Sequence, residues 1–169
     1  MKLSTKGRYA VMAMVDLARQ DGSGPVALSD IAERQDISLS YLEQLFGKLR
    51  KSAQVKSVRG PGGGYLLARH PSEMRISDII LAVDEPIKAT RCTPGSPEGC
   101  RTDRSRCLTH DLWEELGNQV FSFLNSVSLD DVIGNRLLGI GNRFNINEKI
   151  VRSSENAVVS QRDGIQVAE

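Results

Sequence analysis

Residues 26–69 read VALSDIAERQDISLSYLEQLFGKLRKSAQVKSVRGPGGGYLLAR, and the fold turns on how that stretch divides. Leu28, Ile31 and Ala32 fall at helical spacing and mark one short helix. Ser38 is placed to N-cap a second, whose apolar stripe is Leu42, Leu45, Phe46 and Leu49. Only Gln35, Asp36 and Ile37 separate the two, which is the dimension of a helix-turn-helix. Beyond it, 55–59 and 65–67 are β-prone runs around Gly60, Pro61, Gly62, Gly63 and Gly64, a hairpin with a glycine-rich tip. A helix-turn-helix followed by such a hairpin is a winged helix.

The glycines do not make a nucleotide site. A phosphate loop needs Lys and then Ser or Thr after its last Gly, and Tyr65 and Leu66 stand there. A dinucleotide fingerprint fails as well, because no βαβ unit surrounds Gly62.

Outward from this core, Tyr9, Ala10, Ala13, Met14, Leu17 and Ala18 predict an amphipathic helix over 3–20, ended by the turn residues DGSGP at 21–25. Ile76, Ile79, Ile80 and Val83 predict a short helix closed by Pro86, packed beside the winged helix. Thr109 is placed to cap a long helix with the stripe Leu112, Trp113, Leu116, Val120, Phe123, Leu124 and Val127. That stripe needs a surface to cover it. Its own domain is one option; the same helix of a second copy is the other, favoured here because it suits a two-fold reader of near-palindromic sites. SLDDVI adds a short helical turn, and from about residue 140 the periodicity fades into an expected flexible tail.

The fold class expected is therefore mainly α: a winged helix-turn-helix with a small two-stranded wing plus a long C-terminal dimerisation helix. Its parts are a winged-helix domain at 1–86, a ligand loop at 87–108, the dimerisation region at 109–134 and the tail at 135–169.

Net charge is only +1 over 169 residues, but it is divided. Residues 1–70 hold 11 Lys and Arg against 6 Asp and Glu, a net of +5; residues 71–169 hold 11 against 15, a net of −4. A basic first half beside an acidic second half points the winged helix at a polyanion. In a helix-turn-helix the second helix enters the major groove of double-stranded DNA. Off its apolar stripe, that helix offers Ser38, Ser40, Tyr41, Glu43, Gln44, Lys48 and Lys51. Ser and Gln can read base edges, Glu can accept from cytosine, and Lys neutralises phosphate. Arg59 stands at the base of a tip whose Gly60, Gly62 and Gly63 let backbone approach, a reach into the minor groove. The competing reading is a winged helix that binds protein instead.

No run approaches the ~20 apolar residues of a membrane span, and charges interrupt the N-terminus where a signal would be apolar. A cytoplasmic protein with reduced thiols is expected, in which clustered cysteines mean metal or redox chemistry. All three cysteines lie in RCTPGSPEGCRTDRSRCLTH, residues 91–110, spaced Cys92-x7-Cys100-x6-Cys107-x2-His110. Cys107 and His110, one helical turn apart, can converge. Three thiolates and one imidazole suit zinc or an iron–sulfur cluster; spacing leaves the two nearly even, since a short C-x2–4-C zinc hairpin is absent. A Cys107–His110 nucleophilic dyad is weaker, for want of an orienting acid or pocket, and the chain is not expected to be an enzyme.

Taken together, MKLSTKGRYAVMAM, ISLSYLEQLFGKLRK, SVRGPGGGYLL and RCLTHDLW resemble the iron–sulfur cluster regulators of the IscR kind, over about residues 1–134. The resemblance implies a homodimeric transcription regulator, repressor and activator, that holds a 2Fe–2S cluster through Cys92, Cys100, Cys107 and His110. It implies control of iron–sulfur assembly genes, with the assembly machinery as cluster source and with occupancy changing which DNA sites are bound. The gaps between cysteines are longer here, by a residue or two each, than in that pattern. Alternatives within reach of the residues are a zinc- or thiol-redox-responsive repressor and an iron–sulfur carrier that does not bind DNA.

Overall fold

A computed structural model describes residues 4–87, 100–103 and 105–139. In chain order they form α1 (Thr5–Arg19), α2 (Leu28–Gln35), α3 (Leu39–Lys51), β1 (Val55–Val58), β2 (Gly64–Leu67), a 3-10 turn (Pro71–Glu73), α4 (Ile76–Ala82), α5 (His110–Ser126), α6 (Leu129–Ile133) and a second 3-10 turn (Arg136–Gly139). The mainly helical chain with one small antiparallel sheet is the winged helix that the sequence predicts.

Its core is the set the periodicities select. Ala10, Ala13, Met14 and Leu17 of α1 meet Ile31 of α2, Leu42, Leu45, Phe46 and Leu49 of α3, and Ile76, Ile79, Ile80 and Val83 on and just after α4, all buried. Fully burying a side chain of this size contributes about 1.5–3 kcal/mol. One charged residue joins them: Asp16 of α1, 6% exposed, takes Arg34 of α2 at 2.6 Å. The Gln35 amide completes the carboxylate, also at 2.6 Å. Gln35 is thus the last residue of α2 rather than part of the turn, which is made by Asp36 in the left-handed region (φ 51°) and Ile37.

The wing pairs Val55 with Leu67 and Val58 with Gly64, leaving residues 59–63 as its tip. Phe46 of α3 meets Tyr65 of β2 edge-on, centroids 4.9 Å apart, which seats the wing on the second helix. A further tie escaped the sequence reading. Tyr65 and Val26, in the turn before α2, exchange backbone hydrogen bonds of 2.8 and 3.0 Å. This crossing needs Gly64, because a Cβ there would lie 2.3 Å from the Val26 carbonyl oxygen.

After α5 the chain returns to the core. The Ile76 N–H donates to the Val127 carbonyl and the Leu129 N–H to that of Met74, both at 3.0 Å, while Val127 and Leu129 are buried. α6 then packs on α1, its start closed by a capping box between Ser128 and Asp131. The described residues up to Asn135 belong to one compact unit. On α5 itself Leu112, Trp113, Leu116 and Phe123 of the stripe are exposed, as is Phe121 beside it, so among the described residues most of the stripe is uncovered. Ser38 and Thr109 occupy the cap positions expected of them, but neither hydroxyl makes a capping bond. The Thr109 hydroxyl instead accepts the Trp113 indole N–H at 3.1 Å. Cys92 and the segment 140–169 lie outside the described residues.

Candidate metal centre and nucleic-acid interface

Cys100 and Cys107 approach α5 from its N-terminal side, and His110 is that helix's first residue. The ligand atoms of these three lie within 4.8 Å of one another. Both thiols are free and half-buried, and the Cys100 sulfur accepts the Cys107 N–H at 3.2 Å. His110 is 2% exposed, and among the described residues neither of its ring nitrogens has a hydrogen-bond partner. A buried polar atom left unpaired costs about 1–3 kcal/mol. A buried ring with both nitrogens unpaired, one of them within 4.8 Å of two thiols, is a donor rather than a packing element. Glu114, one turn on, brings Oε2 to 3.5 Å from Nε2 of the ring. Sequence reading passed over Glu114, although the i, i+4 spacing from His110 was available as a signal.

On the winged helix, Ser38, Ser40, Glu43, Gln44 and Lys51 are exposed along α3, as are Arg59, Gly60 and Gly62 at the wing; Gly63 is half-buried. Gly60 and Gly62 adopt φ of 106° and 74°, which shapes the tip. Two residues assigned to this surface are engaged within the chain. The ring of Tyr41 packs edge-on against Tyr9 of α1, centroids 6.0 Å apart. Lys48 binds the carboxylate of Asp84 at 2.8 Å, and Lys6 donates to the Asp84 carbonyl at 3.1 Å. The bond from Lys48 holds the Asp84 carboxyl below its usual range, and the same bond raises Lys48. Among the described residues no helix is long and apolar enough to cross a membrane.

A helix-turn-helix, a wing and a Cys/His group at the head of a long helix together define a winged-helix transcription regulator. Residues 3–135 match the family model of Rrf2, iron-dependent transcriptional regulators, and the chain belongs to that family. It is 54% identical over 136 residues to the HTH-type transcriptional regulator IscR of Photorhabdus laumondii, covering 80% of this chain and 81% of that one. Against the regulator of the same name from Yersinia pestis it is 52% identical over 146 residues, 86% of this chain and 87% of that one. Among solved structures, T. potens IscR superposes with a TM-score of 0.65 at 40% identity, over 83% of this chain and 91% of that one. CymR, the global cysteine regulator of B. subtilis, gives 0.66 at 34% identity over 80% and 98%. The chain is thus a DNA-binding regulator of transcription and not an enzyme.

Proposed function

We propose that the protein is a cytoplasmic homodimer that reads near-palindromic DNA and reports iron–sulfur status through a 2Fe–2S cluster held by Cys92, Cys100, Cys107 and His110. The buried His110, with two partnerless nitrogens and two thiols within 4.8 Å, is the observation that carries this reading. Three soft thiolates and one imidazole match the ligand chemistry of such a cluster, which when bound supplies a one-electron centre whose potential the surrounding groups tune. The names of the relatives agree with it.

The chain's own part is mechanical. Cys100 and Cys107 precede α5 and His110 opens it, so occupancy ties the segment before α5 to its first turn. The opposite end of α5 is stitched to the winged helix through Val127 and Leu129. The exposed stripe of α5 between these ends is the face offered to a second copy. Filling the site changes DNA preference only to the extent that it favours one arrangement of this helix over another. The proposed outcome is control of iron–sulfur assembly genes, with the assembly machinery as cluster source.

Anaerobic purification with iron, sulfide and zinc analysis tests the cofactor: about two iron and two sulfide per chain are expected from the cluster's composition. Colourless protein with stoichiometric zinc would convert the reading to a zinc-stabilised repressor. For the DNA surface, Gln44→Ala should lose about 1–3 kcal/mol of discrimination at one base, whereas Arg59→Ala should weaken binding overall. Unchanged isotherms at fixed salt would remove both residues from the interface.

A further inference from the structure

We propose that Glu114 is a positioning residue for His110, selecting Nδ1 as the imidazole atom turned to the thiols of Cys100 and Cys107. The inference rests on reading the site as a cluster site. His110 and Glu114 are four residues apart on α5 and share one face of it. Glu114 Oε2 stands 3.5 Å from Nε2, with the ring 2% and the carboxylate 23% exposed. An imidazole that ligates through one nitrogen carries its proton on the other, and that buried N–H needs an acceptor. Nε2 faces the Glu114 carboxylate, so the proton belongs there and the lone pair is left on Nδ1. Asp111 is also near the ring, but its side chain is 88% exposed and so cannot shield a buried N–H from water. The Nε2 contact falls short of a hydrogen bond. Ligation, by fixing the tautomer, gives it a proton to share.

The test uses the full chain, loaded with the cluster and labelled at histidine with 15N in the δ1 position. In the reduced protein, pulsed electron paramagnetic resonance should find the strongly coupled nitrogen to be the labelled one. Strong coupling from Nε2, or none from histidine because Glu114 itself ligates, overturns the proposal. Glu114→Ala should release iron to a chelator about tenfold faster, in line with the loss of a partner to a ligating histidine. Glu114→Gln keeps an accepting carbonyl oxygen and should restore most of the slower rate. In a His110→Cys background, Glu114→Ala should change nothing; an equal effect there would make Glu114 a merely structural residue. Wild-type protein lacking iron and sulfide would instead overturn the cluster reading beneath the proposal, a failure seen without any variant.

Discussion

Lys48, on the second helix of the helix-turn-helix, is bound at 2.8 Å to Asp84, which follows α4 in the left-handed region (φ 55°). Asp84 comes just after α4, so a lysine assigned to phosphate on the proposed DNA surface is held by the end of that helix in one ion pair. Asp84→Asn should free Lys48 for a phosphate. Affinity for duplex DNA should rise at low salt, and the slope of log K against log salt should steepen by about 0.9. Parallel titrations of the two proteins across salt concentrations decide it; coincident slopes would mean that Lys48 contacts no phosphate.

Asp16 offers a prediction in pH. Burial pushes its carboxyl up, but hydrogen bonds from Arg34 and Gln35, with the charge of Arg34, outweigh that and leave it below the ordinary value of 3.8. A carboxyl whose pKa is lowered by folding stabilises the native state above its unfolded value, and that contribution is lost as pH falls through the lower, folded one. Denaturant melts should therefore show wild type losing stability below about pH 4, with Asp16→Asn much flatter there. At pH 7 the Asn variant should be about 2 kcal/mol less stable, less than for a fully buried pair because Arg34 reaches solvent.

Gly64→Ala should cost about 2 kcal/mol, or roughly 6 °C in Tm, because its Cβ would strike backbone that no rotamer can move. Added loss of DNA affinity in the variant, measured below its melting point, would show that the wing has shifted. A variant that melts with wild type would mean that the Val26–Tyr65 pairing is absent in solution.

His110→Leu separates a ligand from a structural histidine. Removing two unpaired buried nitrogens should leave the metal-free chain as stable or about 1 kcal/mol more stable, while abolishing cluster incorporation. Destabilisation of the metal-free chain by this change would assign the ring a packing role.

For the exposed stripe of α5, Leu116→Glu should turn a dimer into a monomer in sedimentation equilibrium without unfolding it. Wild type that sediments as a monomer at micromolar concentration would end the two-copy reading.

The helices were legible because their apolar residues repeat locally: Leu42, Leu45, Phe46 and Leu49 are buried as the spacing requires. Cys100, Cys107 and His110 were legible because thiols and an imidazole stood in a stretch with little else to fold around. Pairings between distant residues carried no such mark. Asp16 with Arg34, Lys48 with Asp84, and Val26 with Tyr65 are set by how elements dock, which no window of sequence contains. The surplus was visible in one case: Gly60 and Gly62 meet the turn's need for positive φ, and Gly64 at negative φ is explained only by Val26. The hydroxyls of Ser38 and Thr109 show the opposite limit, correct position without the expected bond.

The Val26–Tyr65 crossing also bears on how such a regulator can diversify. The wing is clamped by main chain to the entrance of the helix-turn-helix, so on the proposed DNA interface the separation between a major-groove contact from α3 and a minor-groove contact from the wing is built into the scaffold. On that interface, exchange at Gln44 should alter which bases are preferred, and exchange at Arg59 how tightly any site is held. The number of base pairs lying between the two contacts cannot be retuned in the same way, and target sites of this protein should share one internal spacing whatever their letters.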